Sequence, residues 1–564
     1  MTPPSFARRR DSRAPVPLTA EDRPRLAPGV VFEEVGEAGV WIALLQGVPS
    51  SRVSRAVVDL LTAMDGETTL RDLRTRFAAS EPREDFLLLI QRFRASGLLA
   101  GDTKPPPGRV TYRPPFTLQF ATLRAPAFFD RGNRLIVPLS RRGVLASLLV
   151  VLCLGLGAAA LQTGEVWDVL TMPVSLPGLV GVVIALSVMT LLHESAHGLA
   201  LTRFGGEPRR AGFMLYYLTP AFFVDVTDGW RLSDRRQRVA VALAGPAVHA
   251  VAAAVALLAA LVLPDPLIHQ ALLLLAVSCV AIVLVNLIPF VRFDGYIALM
   301  SALDEPNLRD RTIRDGVDFL TRILFGGPRT ARSLDRWWSV PFGLACLVAP
   351  IALVLFAVSR VVRALAGGGP VLGVLVLVLE AAVVLVGIVI LSRALRRVLR
   401  SGVSRLRFVA VSATLIASIV VVGAVIPLPV TATYGFVTRG DRVLLVQPGT
   451  AAEAEVPDGA PVELMSAGLL ASSRVGGGTI RPEPPMPTEV PWAVLVPVAA
   501  DGVDVPATVI AGVDVDDGGG STPPTGRAQV ALGTRSLWQT LWATGVVSPL
   551  SALLDQKHER QEDD

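Results

Sequence analysis

Seven apolar runs, each close to the length of a membrane-crossing helix, limit the folds open to this chain more than any other feature. A helix needs about 20 consecutive apolar residues to cross the hydrocarbon core of a bilayer. Because 51% of the 564 residues are hydrophobic, the composition also favours a membrane protein. The predicted spans lie at about residues 143–161, 176–201, 239–263, 267–290, 340–362, 370–391 and 408–426.

The positive charge of the chain is almost entirely arginine, and its distribution predicts the orientation of the spans. Arginine is concentrated in the N-terminal third and in the loops after predicted spans two, four and six. Arginine-rich loops stay in the cytoplasm, so we expect a cytoplasmic N-terminus and an extracytoplasmic C-terminal region. Arg360 and Arg363 fall on the opposite side and disagree with the assignment of spans five and six.

Composition changes along the chain predict soluble domains at both ends of a helical membrane protein. The predicted organisation is a disordered N-terminus (1–27), an α+β winged-helix-like domain (28–102), a Pro- and Arg-rich connector (103–142), a four-span core (143–300), three further spans (301–429), a β-rich domain (430–535), and an amphipathic helix with a polar tail (536–564). The apolar part of that last helix runs from Leu537 to Leu554 and suits a membrane interface.

The winged-helix prediction rests on strand candidates followed by helical periodicity. Val30–Val35 and Val40–Leu45 are short strand candidates on either side of a glycine-containing turn. Apolar residues at helical spacing, beginning with Val53, predict the first of three helices, and Thr68 or Thr69 can cap the second. The helices carry acidic residues among their arginines, so a uniformly basic face for nucleic acid is not expected.

A metal-binding pattern lies near the end of predicted span two. His193 and His197 are four residues apart, so on a helix they share a face and can bind one Zn²⁺. Glu194 lies beside them as a candidate general base. Ionisable side chains are costly inside a membrane, which favours a functional role. Two histidines are an incomplete site, because a catalytic zinc usually has three protein ligands and an open position for water.

Three motifs resemble the site-2 protease family of intramembrane zinc metalloproteases over about residues 143–300. They are His193 to His197 with the following Gly198–Gly206, the triplet Ala244-Gly245-Pro246, and the pattern formed by Asn286, Pro289, Asp294 and Gly295. The resemblance implies that Asp294 is the third Zn²⁺ ligand and Glu194 the catalytic base. Predicted spans two and four run in the same direction, which brings Asp294 to the depth of the histidines.

The same resemblance implies supporting roles for residues around the metal. It assigns contact with the substrate, or orientation of the site, to Asn286 and Pro289 and to Gly245 and Pro246. His249, in predicted span three, is expected to be a polar residue in helix packing rather than a ligand.

The N-terminal domain resembles the PqqD-like peptide-recognition fold. The matching stretches are Leu26–Val30, Leu60–Leu73 and Ala95–Leu99. In that family the domain holds the leader segment of a ribosomally made peptide along a strand edge, so the resemblance implies a leader peptide as partner. A structural or regulatory winged helix is the alternative, and the sequence leaves both open.

An apolar, aromatic segment from Arg210 to Asp225 follows the metal motif. It is too short to cross a membrane, and Thr219-Pro220 is a plausible turn, so we predict a hairpin or re-entrant segment beside the site. Its edge could hold an extended substrate by strand addition, or the hairpin could only pack on the spans. Asp225 and Asp228 could be structural, substrate-facing or ligating.

We therefore expect a zinc endopeptidase of a bacterial cell membrane that cleaves a peptide or membrane-associated precursor during peptide maturation or export. The expected partners are this substrate, the lipid bilayer and a leader peptide, without nucleic acid. Two alternatives are a non-catalytic membrane protein that binds peptides or assists their transport, and a membrane-bound regulator with a DNA-binding winged helix. The intact Glu194 disfavours the first, because a scaffold does not need a general base.

Overall fold

The computed structural model describes most of the chain, in two compact units. The described residues are 18–35, 40–45, 48–100, 110–113, 117–122, 124–136, 142–216, 219–327, 332–334, 336–365, 370–400, 402–449, 456–500, 502–516 and 522–547. The first unit combines Met1–Leu145 with Thr190–Gly245, and the second combines Ala146–Met189 with Pro246–Asp564. The predicted polar tail and most of the predicted disordered N-terminus lie outside the described residues.

The described residues form fifteen strands and fifteen α-helices. The strands are β1 (Val30–Val35), β2 (Val40–Leu45), β3 (Val48–Ser54), β4 (Val110–Arg113), β5 (Thr117–Thr122), β6 (Val174–Ser175), β7 (Ala211–Tyr216), β8 (Thr219–Val224), β9 (Pro427–Arg439), β10 (Arg442–Pro448), β11 (Pro461–Met465), β12 (Arg474–Pro491), β13 (Val498–Ala499), β14 (Asp504–Val515) and β15 (Thr525–Ser536). The helices are α1 (Arg55–Thr62), α2 (Leu70–Phe77), α3 (Arg83–Ala95), α4 (Ala125–Ile136), α5 (Arg142–Leu161), α6 (Thr163–Thr171), α7 (Leu176–Arg203), α8 (Arg235–Val262), α9 (Pro266–Asn286), α10 (Asp294–Leu303), α11 (Leu308–Phe325), α12 (Ser339–Leu365), α13 (Pro370–Arg400), α14 (Arg405–Val425) and α15 (Leu537–Trp542).

The N-terminal domain packs three helices on an antiparallel sheet of order β1-β2-β3. Its core contains Leu61, Leu73 and Ile90 among other fully buried apolar side chains. The hydroxyl of Thr69 accepts the backbone N–H of Asp72 and caps α2, as predicted. The capping bond supplies an acceptor for a backbone N–H that has no partner within the helix.

The predicted start of the first helix in this domain was wrong. Val53 lies in a third strand, β3, which was not predicted from the sequence, and α1 begins only at Arg55. Val53 and Val57 are four residues apart, which is helical spacing. Apolar spacing alone cannot separate a strand end from a helix start when the junction falls between two such residues.

A second sheet in the first unit has the order β4-β5-β7-β8. The hairpin predicted near residues 210–225 is β7 and β8, but the prediction of a turn at Thr219-Pro220 was wrong. Thr219 pairs with Tyr216 and Pro220 with Leu215, so both begin β8. Proline is tolerated there because β8 is an edge strand of this sheet.

The segment treated as a connector in the sequence contributes structure to the same unit. Its strands β4 and β5 extend the sheet of the hairpin, with Thr117 opposite Tyr216 and Phe120 opposite Phe213. Helix α4 follows, and the ring of Phe129 is buried. These strands give the hairpin a hydrogen-bonded neighbour on the β7 side, which leaves β8 at the edge.

Seven helices are long and apolar enough to cross a membrane: α5, α7, α8, α9, α12, α13 and α14. They coincide with the seven predicted spans, and α8 is the most buried of them. In the second unit Gly155 of α5 lies against Ala254 of α8, where a Cβ on the glycine would lie 2.5 Å from the Ala254 Cβ. The helical part of the predicted fold class is confirmed by length and composition.

The predicted C-terminal β-rich domain is a closed barrel of order β10-β14-β12-β11-β15-β9. Its interior is filled by apolar side chains that include Phe436, Leu445 and Leu464. Closure removes the free edges of the sheet. Beside the barrel, β13 pairs in parallel with β6, directly before α7.

The predicted amphipathic helix at the C-terminus is shorter in its regular part than expected. Helix α15 covers only Leu537–Trp542 and continues as a π-helical turn, Ala543–Val547. Ser536 and Gln539 form a capping box at its start. Trp538 donates its indole N–H to the carbonyl oxygen of Val420 at 3.0 Å. Residues 548–554 of the predicted helix lie outside the described residues.

Candidate metal centre

The C-terminal half of α7 presents the two histidines of the sequence pattern on one face. His193 and His197 lie one turn apart and are buried. Their Nε2 atoms are 3.3 Å apart. Two nitrogen ligands at about 2.0–2.1 Å from a tetrahedral Zn²⁺ are separated by about 3.3–3.4 Å. The pair therefore already has the spacing that a single zinc ion requires.

A backbone contact fixes the tautomer of His197. Its Nδ1 lies 2.7 Å from the carbonyl oxygen of Val241 in α8. A carbonyl oxygen only accepts hydrogen bonds, so Nδ1 carries the proton and Nε2 is left with its lone pair for a metal. A partner of this kind also orients the ring and makes the other nitrogen a better ligand.

A carboxylate completes a candidate metal-binding triad. His193, His197 and Asp294 each offer one ligand atom, and these atoms lie within 4.8 Å of one another. Asp294 is the first residue of α10, whereas α9 ends at Asn286, so Asp294 follows a turn instead of lying in the span itself. Among the described residues, no other group of His, Cys, Asp and Glu has such spacing.

Gly295 allows the turn before α10 to close. A Cβ at this position would lie 2.5–2.6 Å from the backbone of Leu287. Real Cβ atoms essentially never come closer than 3.0 Å to another heavy atom. The glycine therefore accounts for the Asp-Gly pair in the sequence, because Asp294 can occupy its position only if its neighbour has no side chain.

The structure places the other predicted site residues as follows. Asn286 donates its side-chain N–H to the carbonyl oxygen of Ile282 in its own helix at 3.0 Å. Pro289 lies in the turn between α9 and α10. Gly245 is buried against the histidine pair, and Pro246 follows it inside α8.

The close contact between Gly245 and the two histidines was not predicted from the sequence. A Cβ on Gly245 would lie 2.6 Å from the Nε2 of His193, and nearer still to the Nε2 of His197. The helix α8 therefore approaches the metal face of α7 through a position that has no side chain. The motif Ala244-Gly245-Pro246 was the signal, but only the structure gives its steric reason.

Glu194 connects the histidine pair with the hairpin. Its Oε2 accepts the backbone N–H of Val224, the last residue of β8, at 3.1 Å. Because Val224 uses this N–H away from β7, its backbone faces the outer edge of β8, with which no described strand pairs. The period of two along a strand puts the backbone groups of Phe222 and Pro220 on that edge as well.

A second contact supports α7 from the side of α4. A Cβ on Gly198, which directly follows His197, would lie 2.5 Å from the ring of Phe129. The ring therefore packs onto the backbone of α7 at this point. The sequence gives no separate signal for this contact, because Phe129 belongs to the segment treated as a connector.

The two aspartates after the hairpin have partners in the first unit. Asp225 accepts the backbone N–H and the hydroxyl of Thr227 at 3.1 and 2.5 Å, which makes a local turn. The buried Asp228 accepts the backbone N–H of Glu207 at 2.9 Å, and Arg231 pairs with it at 3.6 Å. Both carboxylates are engaged in structure, and neither belongs to the triad.

Two further polar residues, one in α8 and one in α10, are buried. His249 is buried in α8 and does not belong to the triad. The hydroxyl of Tyr296 in α10 accepts the backbone N–H of Arg309 at 3.1 Å, and burial raises the pKa of this tyrosine above its usual value.

Comparison of the chain with family models, curated proteins and solved structures finds no match. The functional argument therefore depends on the geometry of the site.

Proposed function

We propose that this protein is a zinc-dependent endopeptidase that acts within the membrane on a peptide or membrane-associated precursor. The observation that carries the proposal is the 3.3 Å separation of the two histidine Nε2 atoms, with a carboxylate of Asp294 within reach and Glu194 beside them. The seven apolar helices support placement in a membrane, since α7 itself is one of them.

The donor set fits zinc better than a hard cation. Two imidazole nitrogens and one carboxylate oxygen form a set typical of catalytic zinc, whereas Mg²⁺ and Ca²⁺ prefer oxygen ligands alone. His193, His197 and Asp294 would hold the ion. A bound zinc would supply Lewis acidity and lower the pKa of a water molecule in the remaining position towards about 7.

Glu194 is the proton carrier in this proposal. Its carboxylate lies next to the histidines in sequence and is held at 3.1 Å by the Val224 N–H. It takes a proton from the attacking water and passes it to the nitrogen of the leaving amine. The hydrogen bond from Val224 keeps the carboxylate oriented, so the residue does not have to be positioned in each cycle.

The free edge of β8 supplies a surface for an extended peptide. A peptide in a helix has its carbonyl groups hydrogen-bonded, so it must be extended before hydrolysis. The Phe222 N–H and C=O and the Pro220 C=O face this edge, and a substrate strand can pair with them. This favours strand addition over the alternative in which the hairpin only packs on the spans.

The N-terminal domain suggests the class of substrate. In the first unit, Arg231 pairs with Glu33 of β1 at 2.7 Å and with Asp228, so a chain of charges joins this domain to the segment after β8. We assign to the domain the capture of a peptide leader, because its sequence resembles the PqqD-like peptide-recognition fold. We also propose a bacterial cell membrane as the location, with a cytoplasmic N-terminus and an extracytoplasmic barrel, from the arginine distribution of the loops.

The test compares metal content and cleavage in the same preparations. The full-length protein, Glu194→Gln and the control Glu207→Gln are purified in detergent; zinc is measured by mass spectrometry, and cleavage with a library of peptides. Glu207 is an exposed carboxylate of the same unit, so its variant should retain both properties. Glu194→Gln should keep zinc and lose cleavage. Cleavage at the wild-type rate by Glu194→Gln would reject the proposal, as would an absence of zinc and cleavage in the wild type.

A further inference from the structure

The helix α13 is longer than a bilayer needs. It extends over 31 residues, Pro370–Arg400, while about 20 residues cross the hydrocarbon core. Its apolar run from Val371 to Leu391, interrupted by Glu380, has about the length that crosses the core. The remaining turns therefore project beyond the core, and they begin with Ser392 and Arg393.

Four arginines lie on one face of this projecting part. Arg393, Arg396, Arg397 and Arg400 follow the spacing i, i+3, i+4 and i+7. At about 100° per residue they occupy an arc of about 100°, and they extend about 10 Å along the axis. The headgroup layer on one side of a bilayer is about 5–7 Å thick. Most of the stripe therefore lies at headgroup depth.

The guanidinium groups of this stripe have no partner within the described part of the chain. All four side chains are exposed, and none takes part in a hydrogen bond or an ion pair with the described residues. The segment from Leu391 to Phe408 contains six arginines and no acidic residue. At headgroup depth, arginines without an acidic partner among the described residues can bind lipid phosphate groups.

The first turn of α14, which follows the stripe, is anchored and carries an exposed apolar side chain. Arg407 donates to the carbonyl oxygens of Ile323 and Leu324 at the end of α11, at 3.0 and 3.2 Å, and so it is already occupied. Leu406 beside it is 82% exposed. Helix α14 starts at Arg405 and is 21 residues long, so Leu406 lies at the core boundary, where its side chain can insert among acyl chains.

We propose that the Arg393–Arg400 stripe is a binding site for the headgroup of an anionic phospholipid. Its guanidinium groups bind the lipid phosphate in bidentate fashion, while the exposed Leu406 contacts the chains. The site is separate from the candidate metal centre in sequence and in chemistry. It supplies a lipid contact that stabilises the α13–α14 hairpin, whatever reaction the protein carries out.

The test titrates lipids into the full-length protein in neutral detergent and follows thermal unfolding. The probes are phosphatidylglycerol and phosphatidylcholine with identical chains. Arg396→Gln/Arg397→Gln is compared with Arg442→Gln/Arg535→Gln, which removes the same charge from exposed arginines of the barrel. Arg396→Lys/Arg397→Lys keeps the charge and removes the planar fork.

We expect phosphatidylglycerol, and not phosphatidylcholine, to raise the unfolding temperature. Each arginine near an anionic surface contributes about fivefold to association, so the double Gln variant should need about 25 times more lipid. The barrel variant should match the wild type, and the Lys variant should be intermediate. A melting curve without lipid shows whether each variant folds.

Four outcomes would overturn the inference. They are equal stabilisation by both lipids, an unchanged lipid response in the double Gln variant, an equal effect of free glycerophosphate, and displacement of the lipid by a single-stranded oligonucleotide at a lower concentration. The third outcome would indicate a soluble anion as ligand, and the fourth a nucleic acid. The wild-type lipid comparison decides the first point even if a variant fails to fold.

Discussion

Substitution of Gly245 by alanine should weaken zinc binding at the proposed site without unfolding the protein. The added Cβ would lie 2.6 Å from the Nε2 of His193 and closer to that of His197. Ordinary contacts of a Cβ begin at 3.4 Å. The imidazole of His193 must therefore retreat by about 0.8 Å, or α8 must move by the same distance.

This displacement is large on the scale of metal coordination. Ligand distances in a functional site vary by only about 0.2 Å, so a shift of about 0.8 Å breaks at least one bond to the metal. Loss of a supporting contact alone typically costs 10–100-fold in metal affinity. We therefore expect the affinity of Gly245→Ala for zinc to fall by at least about 100-fold, or about 2.7 kcal/mol.

The measurement is a zinc titration against a chromogenic chelator in detergent, together with thermal unfolding of the metal-free protein. Alanine is favoured over glycine inside a helix by about 0.5–1 kcal/mol, which offsets part of the overpacking cost of about 1–3 kcal/mol, so the metal-free variant should lose at most about 2–3 kcal/mol of stability. Gly181→Ala is the control, because a Cβ on Gly181 of α7 meets no atom within 4 Å. Wild-type zinc affinity in Gly245→Ala would refute the steric reasoning.

Four further substitutions test other parts of the structure. Gly295→Ala should also lose zinc, because its Cβ would lie 2.5 Å from the Leu287 backbone; unchanged zinc content would contradict this. Phe129→Ala should cost about 3–5 kcal/mol of stability in thermal unfolding, and a change below about 1 kcal/mol would show that the ring does not support α7. Phe222→Pro should keep zinc but lower kcat/KM about 3–10-fold through the lost edge N–H, with Phe222→Leu as control; equal rates would exclude strand addition. In Asp65→Asn, the amides bonded to that carboxylate should exchange faster at neutral pH. Those bonds hold the pKa of Asp65 below its usual value of 3.8, so their stabilisation is present above that pH and is lost as the pH falls through the lower folded-state pKa; wild-type protection that persists through this range would contradict the assignment.

Hydropathy predicted the long apolar helices, and ligand spacing predicted the candidate metal ligands. Both leave a recognisable pattern in a short stretch of sequence. The seven apolar helices coincide with the predicted spans because a bilayer-length run has few alternatives. His193 and His197 followed from helical spacing, and Asp294 from a motif. All three are properties of short stretches, which can be recognised without knowledge of the fold.

Long-range pairing was beyond the sequence. The edge position of β8 depends on the pairing of β5 with β7, about a hundred residues away. The connector sequence has no local pattern that predicts this pairing. Thr219-Pro220 predicts a turn because proline is usually found outside strands. The position of Pro220 in an edge strand is known only once the order of the strands is known. Closure of the barrel is likewise a relation between β9 and β15 rather than a property of either strand.

The bond between Glu194 and Val224 relates the chemistry of the proposed site to the register of its substrate. Because the Val224 N–H is bonded to Glu194, a peptide added to β8 cannot pair with that N–H and pairs instead through the N–H of Phe222. Successive residues of a strand rise about 3.3 Å, so Phe222 lies about 7 Å from Val224 along the edge. A peptide paired at Phe222 therefore brings a carbonyl one or two residues further along to the level of Glu194. The position of the peptide along the edge strand would then determine which bond is cut. Side-chain specificity would depend on the groups that face the sheet.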